Sequence, residues 1–523
     1  MPPQWKKEFM NKSLLPISRV DWTIFFSTIA TLLVVSIPIV SAPEAAGKTI
    51  NLAYDVITDN LGTLYIWYAM ALLVFLTYLA VSRYGSIKLG ETDSQPEFST
   101  FSWTGMLFCT GVGAGLLYWS VIEWGFYIDS PPFNLIPRSN EAIEWAATYG
   151  LFHWGITGWA IYCLPALAIA YPFYVKKVPY LRLSTACSHF LPKGINSKRG
   201  RIIDFLFMIN LIGGTGTSLG LATPMIAAGI AELSGLSHDF VLEMSLVLFC
   251  VVIFATSAWL GLKKGIKRLS DFNMLAALAL LAFVLAAGPT LFILKTGTNS
   301  VGLVLQNFLR MNTWTDPVAN GGFVESWTIF YWAWWVAYAP FVGIFVARIS
   351  YGRTIRQVIL GMLGFGSMGA GLFFIILGNY ALHLEISELL NVTEIMREHS
   401  ESFAITQVFL SMPLGNICLA AFCIISIVFL VTTYDSASYT LASVATQELR
   451  AAEDPASWQR LFWAAVLAIL PLSLMYVDGG QRVILATTIV VSLPLLAVGI
   501  LMCVSLMRSL REDNHHLAIR AET

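Results

Sequence analysis

Twelve runs of about 20 predominantly apolar residues dictate what this chain can become. They lie at roughly 21–41, 62–82, 101–122, 147–175, 203–232, 239–261, 273–295, 325–350, 357–383, 404–445, 460–476 and 481–507. A run of that length is what a helix needs to cross the hydrocarbon of a bilayer. Only 12% of the 523 residues are charged, against roughly 25% in a soluble domain, so half the usual polar surface is missing. The expected fold is an all-α integral membrane protein with twelve transmembrane helices. A net charge of −1 gives no reason to expect a nucleic-acid partner; the partner implied by composition is the lipid bilayer. Seven cysteines lie mostly within apolar runs without a CxxC pair, and seven histidines form no HxxxH pattern. Neither disulfides nor a metal centre is expected. The first run begins near Val20 without a small-residue cleavage motif, which argues against a cleaved signal.

Orientation follows from lysine and arginine. With the N-terminus inside, 25 of the 31 basic residues fall on inner segments, seven of them between Lys176 and Arg201. Both termini are therefore expected to be cytoplasmic. The longest polar excursions are Tyr127–Ala146, Lys176–Arg201, Thr296–Glu325 and His383–Phe403, and the tail after Met507 is short. Spans three to seven and eight to twelve form two sets of five. An odd number inverts the second set relative to the first, the common plan of secondary transporters with a site at mid-membrane. The expected division is 1–100 for the N-terminus and two peripheral helices, then 101–296 for the first five-helix repeat. A connector at 297–324, the second repeat at 325–507 and a tail at 508–523 complete it.

Chemistry concentrates in a few stretches. Ser326-Trp327-Thr328-Ile329-Phe330-Tyr331-Trp332-Ala333-Trp334-Trp335 holds four tryptophans and a tyrosine inside one spanning run. Tryptophans normally mark the membrane interfaces. Gathered at mid-depth, their faces suit a cation that cannot hydrogen-bond, such as a trimethylammonium group. At 100° per residue, Trp334, Trp335 and Tyr338 fall at about 0°, 100° and 40°, and Trp154, Trp159 and Tyr162 at about 0°, 140° and 80°. Each set shares a helix face, and two such faces can close a box; ordinary helix packing is the competing reading.

Gly111-Val112-Gly113-Ala114-Gly115 invites local unwinding, because each glycine costs a helix about 1 kcal/mol relative to alanine. Unwound backbone inside a membrane is tolerated beside a cavity, where N–H groups can meet a carboxylate and carbonyls a sodium ion. Gly111 and Gly115 also make a GxxxG packing pair. Thr432-Thr433-Tyr434-Asp435-Ser436-Ala437-Ser438 puts oxygen ligands for a hard cation late in the tenth span. Asp435 is an intramembrane carboxylate and expects a partner or an aqueous path. Glu123 reads as a structural acceptor near the outer boundary. The small, hydroxyl-rich stretch Gly214–Pro224 offers either another cation site or close helix approach.

Taken together, the chain resembles the betaine/carnitine/choline transporter family over essentially its whole length. Ser326–Trp335 matches that family's W-T-x-x-aromatic-W-x-W-W signature. Phe152-His153-Trp154 with Trp159 and Tyr162, Ala347-Arg348-Ile349-Ser350 and Asp435-Ser436-Ala437-Ser438 also match. The resemblance implies a LeuT-like five-plus-five inverted-repeat core and a homotrimer in the cell (inner) membrane. It implies that Trp154, Trp159, Tyr162 and Trp335 line an ammonium box, with Trp334 and Tyr338 in that box or a second one nearer the cytoplasm. Gly111, Gly113 and Gly115 would serve the substrate. Thr432, Thr433 and backbone oxygens of Cys109 and Val112 would hold sodium, the coupling ion, with no cofactor.

Sodium-independent carnitine exchangers of the family carry an arginine where this chain has Asn273, so sodium coupling is expected. Choline carriers of the family end the glycine stretch in aspartate; Ala114 or Gly115 stands there, which favours a zwitterion bringing its own carboxylate. Glycine betaine, carnitine and a sulfonium analogue remain open, and the Gly216–Pro224 stretch resembles carnitine carriers. The alternatives are sodium-independent exchange of the carnitine/butyrobetaine type and a choline carrier. A channel would need pore-lining rings. An enzyme would need a nucleophile–base or metal constellation, and the helices offer neither.

Overall fold

The computed structural model describes residues 19–111, 113–259, 263–447, 454–475 and 480–522, with side chains described outside 108–111, 257–270, 474–485 and 514–522. Among these residues the chain is helical, and its only β-pairing is two isolated bridges, Val20 with Thr446 and Lys88 with Thr354. In hydrocarbon no water is available to satisfy an open backbone, so the apolar runs resolve into helices.

In chain order the helices are α1 (Trp22–Ser41), α2 (Pro43–Val81), α3 (Thr100–Gly111), α4 (Ala114–Asp129), α5 (Asn140–His153), α6 (Ile156–Tyr174), α7 (Lys198–Ser234), α8 (Phe240–Trp259), α9 (Lys263–Ala287) and α10 (Thr290–Thr313). They continue with α11 (Phe330–Ile349) and α12 (Ile355–Ile386), then α13 (Glu401–Leu410), α14 (Gly415–Val444), α15 (Ser457–Met475) and α16 (Gly480–Glu522). Among the described residues, eight helical segments are long and apolar enough to cross a membrane, or nine if the bent pair α9–α10 counts as one. The chain is a multi-pass, all-α membrane protein. The run predicted at 101–122 is divided between α3 and α4. Those at 239–261 and 460–476 fall on α8 and α15.

Breaks position the site. At the glycine triplet, where unwinding was expected, α3 ends at Gly111 and α4 starts at Ala114 after Gly113, whose backbone is extended (φ −130°, ψ 177°). A second break separates α5 from α6 at Trp154 and Gly155, where Trp154 leaves helical geometry (φ −97°, ψ 8°). The helical wheel that puts Trp154 on one face with Trp159 and Tyr162 therefore does not apply across this point. A third break, at Gly288-Pro289, bends α9 against α10 by 111°. It ends the seventh run at Ala287 and makes a helix of most of the stretch expected as a connector, because proline cannot extend the preceding turn.

α11 lies along α6 at the centre of the molecule and also touches α7 and α16. The two backbones come close because Gly343 meets α6 with no side chain: a β-carbon there would fall 2.8 Å from Cβ of Pro165 and 2.9 Å from the amide of Ala166. π-Helical turns precede α11 at Val324–Ile329 and interrupt α12 at Met362–Gly366 and Phe374–Gly378. Such turns re-aim side chains and recur at functional sites.

Candidate onium-binding site

The break at Trp154 drops its indole between α11 and α12. Its ring stands near-perpendicular to Trp334 (centroids 5.7 Å apart, 86°) and Trp335 (5.5 Å, 77°), and tilted on Phe374 (5.8 Å, 44°). From α6, Tyr162 meets Trp335 at 4.4 Å, and Trp159 lies 6.3 Å from Trp335 and 5.7 Å from Tyr162. Of the six rings predicted for the boxes, all but the half-buried Tyr338 are less than a tenth exposed. Trp335 can settle over α6 because Gly158 has no β-carbon, which would lie 2.7 Å from the indole.

Rings that meet nearly at right angles pack edge to face, the positive edge of one on the negative face of the other, and Trp154 joins Trp334 and Trp335 in this way. The indole N–H groups of Trp159, Trp334 and Trp335 are buried without a protein acceptor. Trp334 stacks on Phe330 (5.7 Å, 28°) and reaches Tyr338 at 6.3 Å. Tyr338 donates its hydroxyl proton to that of Ser218 on α7 at 2.9 Å. Tyr338 thus joins α11 to α7, through Trp334's side of the cluster.

One end of Trp154 is fixed by Glu123. The indole N–H donates to Oε2 at 3.2 Å, Tyr331 also donates to Oε2, and Tyr127 donates to Oε1 at 2.5 Å. His153 bonds Tyr127 at 3.0 Å and Thr328 at 3.1 Å. Glu123 is 1% exposed and acts as the structural acceptor its sequence position suggests.

The glycine stretch opens beside this cluster. A β-carbon on Gly113 would meet no atom within 4 Å, whereas one on Gly115 would lie 3.2 Å from Trp334 and 3.7 Å from Ser218. Because α4 begins at Ala114, the amides of Ala114 and Gly115 lack intrahelical acceptors and lie at the positive end of the helix dipole, while that of Leu116 donates to the Gly113 carbonyl at 3.0 Å. That suits a carboxylate. Val112 lies outside the described residues, as do the side chains of Cys109 and Gly111.

α14 packs alongside α4. On α14, Thr432 donates to Val428 and Phe429 carbonyls at 2.9 and 3.0 Å, and Thr433 to Phe429 at 2.8 Å. Both side chains are half-buried, and a hydroxyl that has donated keeps lone pairs for a cation. Asp435 instead pairs with Arg460 of α15 at 2.7 Å, which accounts for a carboxylate in the span. No group of three or more histidine, cysteine, aspartate or glutamate side chains among the described residues could hold a metal ion.

In the small-residue stretch of α7, Gly213 abuts Val491, Gly214 abuts Tyr338, and Gly216 abuts Leu470, so close approach is what that stretch achieves. Asn273 is buried and donates to the carbonyl of Ile425 at 3.2 Å. Two wall residues escaped the sequence reading, Phe374 and Gly366, both on α12. A β-carbon at Gly366 would sit 2.3 Å from the Trp159 ring. Their run is uniformly apolar and shows neither as special.

Set beside known proteins, residues 23–515 match the family model of the betaine/carnitine/choline family transporters. The uncharacterized transporter YeaV of Escherichia coli K12 is 37% identical over 448 residues, covering 85% of this chain and 92% of YeaV. A carnitine transporter of Acinetobacter baumannii is 34% identical over 449 residues, covering 85% and 81%. Among solved structures, a substrate-bound, outward-open Na+-coupled sialic acid symporter aligns over 83% of this chain and 81% of its own, with TM-score 0.33 and 12% identity.

Proposed function

The chain belongs to the betaine/carnitine/choline transporter family, and from that premise we propose that it imports a zwitterion bearing a quaternary ammonium or sulfonium group together with sodium, by alternating access. The observation that carries this reading is the convergence of Trp154, Trp159, Tyr162, Trp334 and Trp335 from two broken or glycine-notched helices onto one buried corner. A methylated onium group carries no N–H, so it loses little in leaving water for aromatic faces, each worth about 1–2 kcal/mol when desolvated. Its carboxylate would face the amides at the start of α4, close to Gly113 and Gly115.

Sodium would bind the hydroxyls of Thr432 and Thr433 together with backbone oxygens of Cys109 and Val112. Binding there would join α14 to the C-terminal end of α3, and this is the step that makes the substrate pocket depend on the ion. Asn273 supports the coupling, because no fixed positive charge stands at its position to replace the ion. The similarity to a carnitine transporter and the likeness of the Gly216–Pro224 stretch to carnitine carriers put carnitine first among candidate substrates, ahead of glycine betaine. The same reading places twelve spans with both termini inside the cell membrane, in a LeuT-like five-plus-five core assembled as a homotrimer.

Titrating the detergent-purified protein with carnitine, glycine betaine, choline and dimethylsulfoniopropionate, in sodium and then in potassium, tests the proposal by tryptophan fluorescence. Sodium-dependent binding of one zwitterion is expected. Equal affinity in both salts, with liposome uptake that requires internal substrate, would replace symport by exchange.

A further inference from the structure

Glu123 does more than fill a polar vacancy in the bundle. Its two carboxylate oxygens accept from three donors on three different segments: Tyr127 of α4 at 2.5 Å, Trp154 at the α5–α6 break at 3.2 Å, and Tyr331 of α11. The Tyr127 proton goes to Glu123, so Nδ1 of His153, 3.0 Å from the same phenol oxygen, must carry the proton it shares. Nε2 of His153 then meets Thr328 at 3.1 Å, next to the signature tryptophan Trp327. Among the described residues the ion-pair neighbour of Glu123 is the His153 ring at 3.7 Å, and both groups are essentially without solvent contact. Taking a carboxylate out of water is costly unless it gains strong hydrogen bonds, and a residue that served only packing would not need to be ionisable.

We propose that Glu123 is a positioning residue for the onium site: through the Trp154 N–H it sets the angle of that ring and enriches the ring face that meets the cation. The inference rests on the transport reading above. Two consequences of the hydrogen bond work together. It fixes the indole in the orientation that puts Trp334 and Trp335 at right angles to it. It also draws the N–H dipole toward a negative charge, which raises electron density over the ring and strengthens its attraction for a cation. Glu123 reaches no substrate position itself. Trp154→Phe isolates the part of its effect that passes through the indole from its bonds to Tyr127 and Tyr331.

The test is calorimetric binding of carnitine and of glycine betaine to the purified full chain, in sodium, alongside thermal melting. Trp154→Phe keeps an aromatic face and deletes the N–H; it is expected to weaken binding of the preferred zwitterion about tenfold. Glu123→Gln should weaken it by a similar factor, and the double variant should bind no worse than the weaker single one. If Trp154→Phe binds like the unaltered protein, or if the two losses multiply in full, the role is overturned. A Glu123→Gln protein that melts earlier yet keeps its Kd likewise overturns it, leaving a purely structural carboxylate. Should Glu123→Gln not fold, the Trp154→Phe measurement still decides. Absence of binding to the unaltered protein by either zwitterion would sink the transport reading itself, and this role with it.

Discussion

Thr432 and Thr433 look satisfied within their own helix, since each donates to a carbonyl three or four residues back. Donation leaves the oxygen's lone pairs free, and these define what the two residues can still do. Thr433→Ala is expected to raise the sodium concentration for half-maximal uptake by about tenfold, with the carnitine Kd at saturating sodium little changed; uptake at varied sodium in proteoliposomes reads it. An unchanged sodium curve would move the ion elsewhere. At this scale the sequence was informative wherever side-chain chemistry is rare in a membrane. Trp154, Trp159, Tyr162, Trp334 and Trp335 stand out because lipid has no use for indoles at depth, and the structure does bring them together. Phe374 and Gly366 were invisible because an apolar run makes every phenylalanine and glycine look alike. Only three-dimensional proximity to Trp154 and Trp159 separates them from their neighbours.

Element by element, glycine was a better guide than aromatic spacing. Three glycines in five residues predicted unwinding, and the chain breaks between Gly111 and Ala114. The break at Trp154-Gly155 went unseen, since one glycine in a strongly apolar window does not outweigh its surroundings, although that break is what aims Trp154 inward. Gly288-Pro289 carried a plain stop signal, yet α10 beyond it hides in a polar-looking stretch because an amphipathic helix mixes both kinds of residue. The pairing of α14 with α15 rests on Asp435 and Arg460, 10–16% exposed and 2.7 Å apart. Removing one partner of a buried pair strands the other charge. Asp435→Asn should therefore lower stability by about 3 kcal/mol while leaving the sodium dependence of binding in place. Thermal melting and sodium titration of the same preparation check both halves.

For the molecule as a whole, basic residues carry the orientation. In a cysteine-free background, Arg138→Cys should react with an impermeant thiol reagent added to intact cells, and Lys193→Cys only after the membrane is opened; the reverse pattern would invert the topology. The span count was less legible. Among the described residues eight or nine helices are long and apolar enough to span a membrane, and of the twelve expected runs the one at 101–122 is divided between α3 and α4. On the proposed orientation α11 runs inward, and Tyr331 and Tyr338 stand seven residues and about 10 Å apart on one side of it. The outer tyrosine is moored to a carboxylate, the inner one to a serine hydroxyl. Bonds to a charged acceptor are roughly twice as strong as neutral ones. The aromatic row between them is therefore tethered unequally, so that a strain on α11 is taken up first at the Ser218 end.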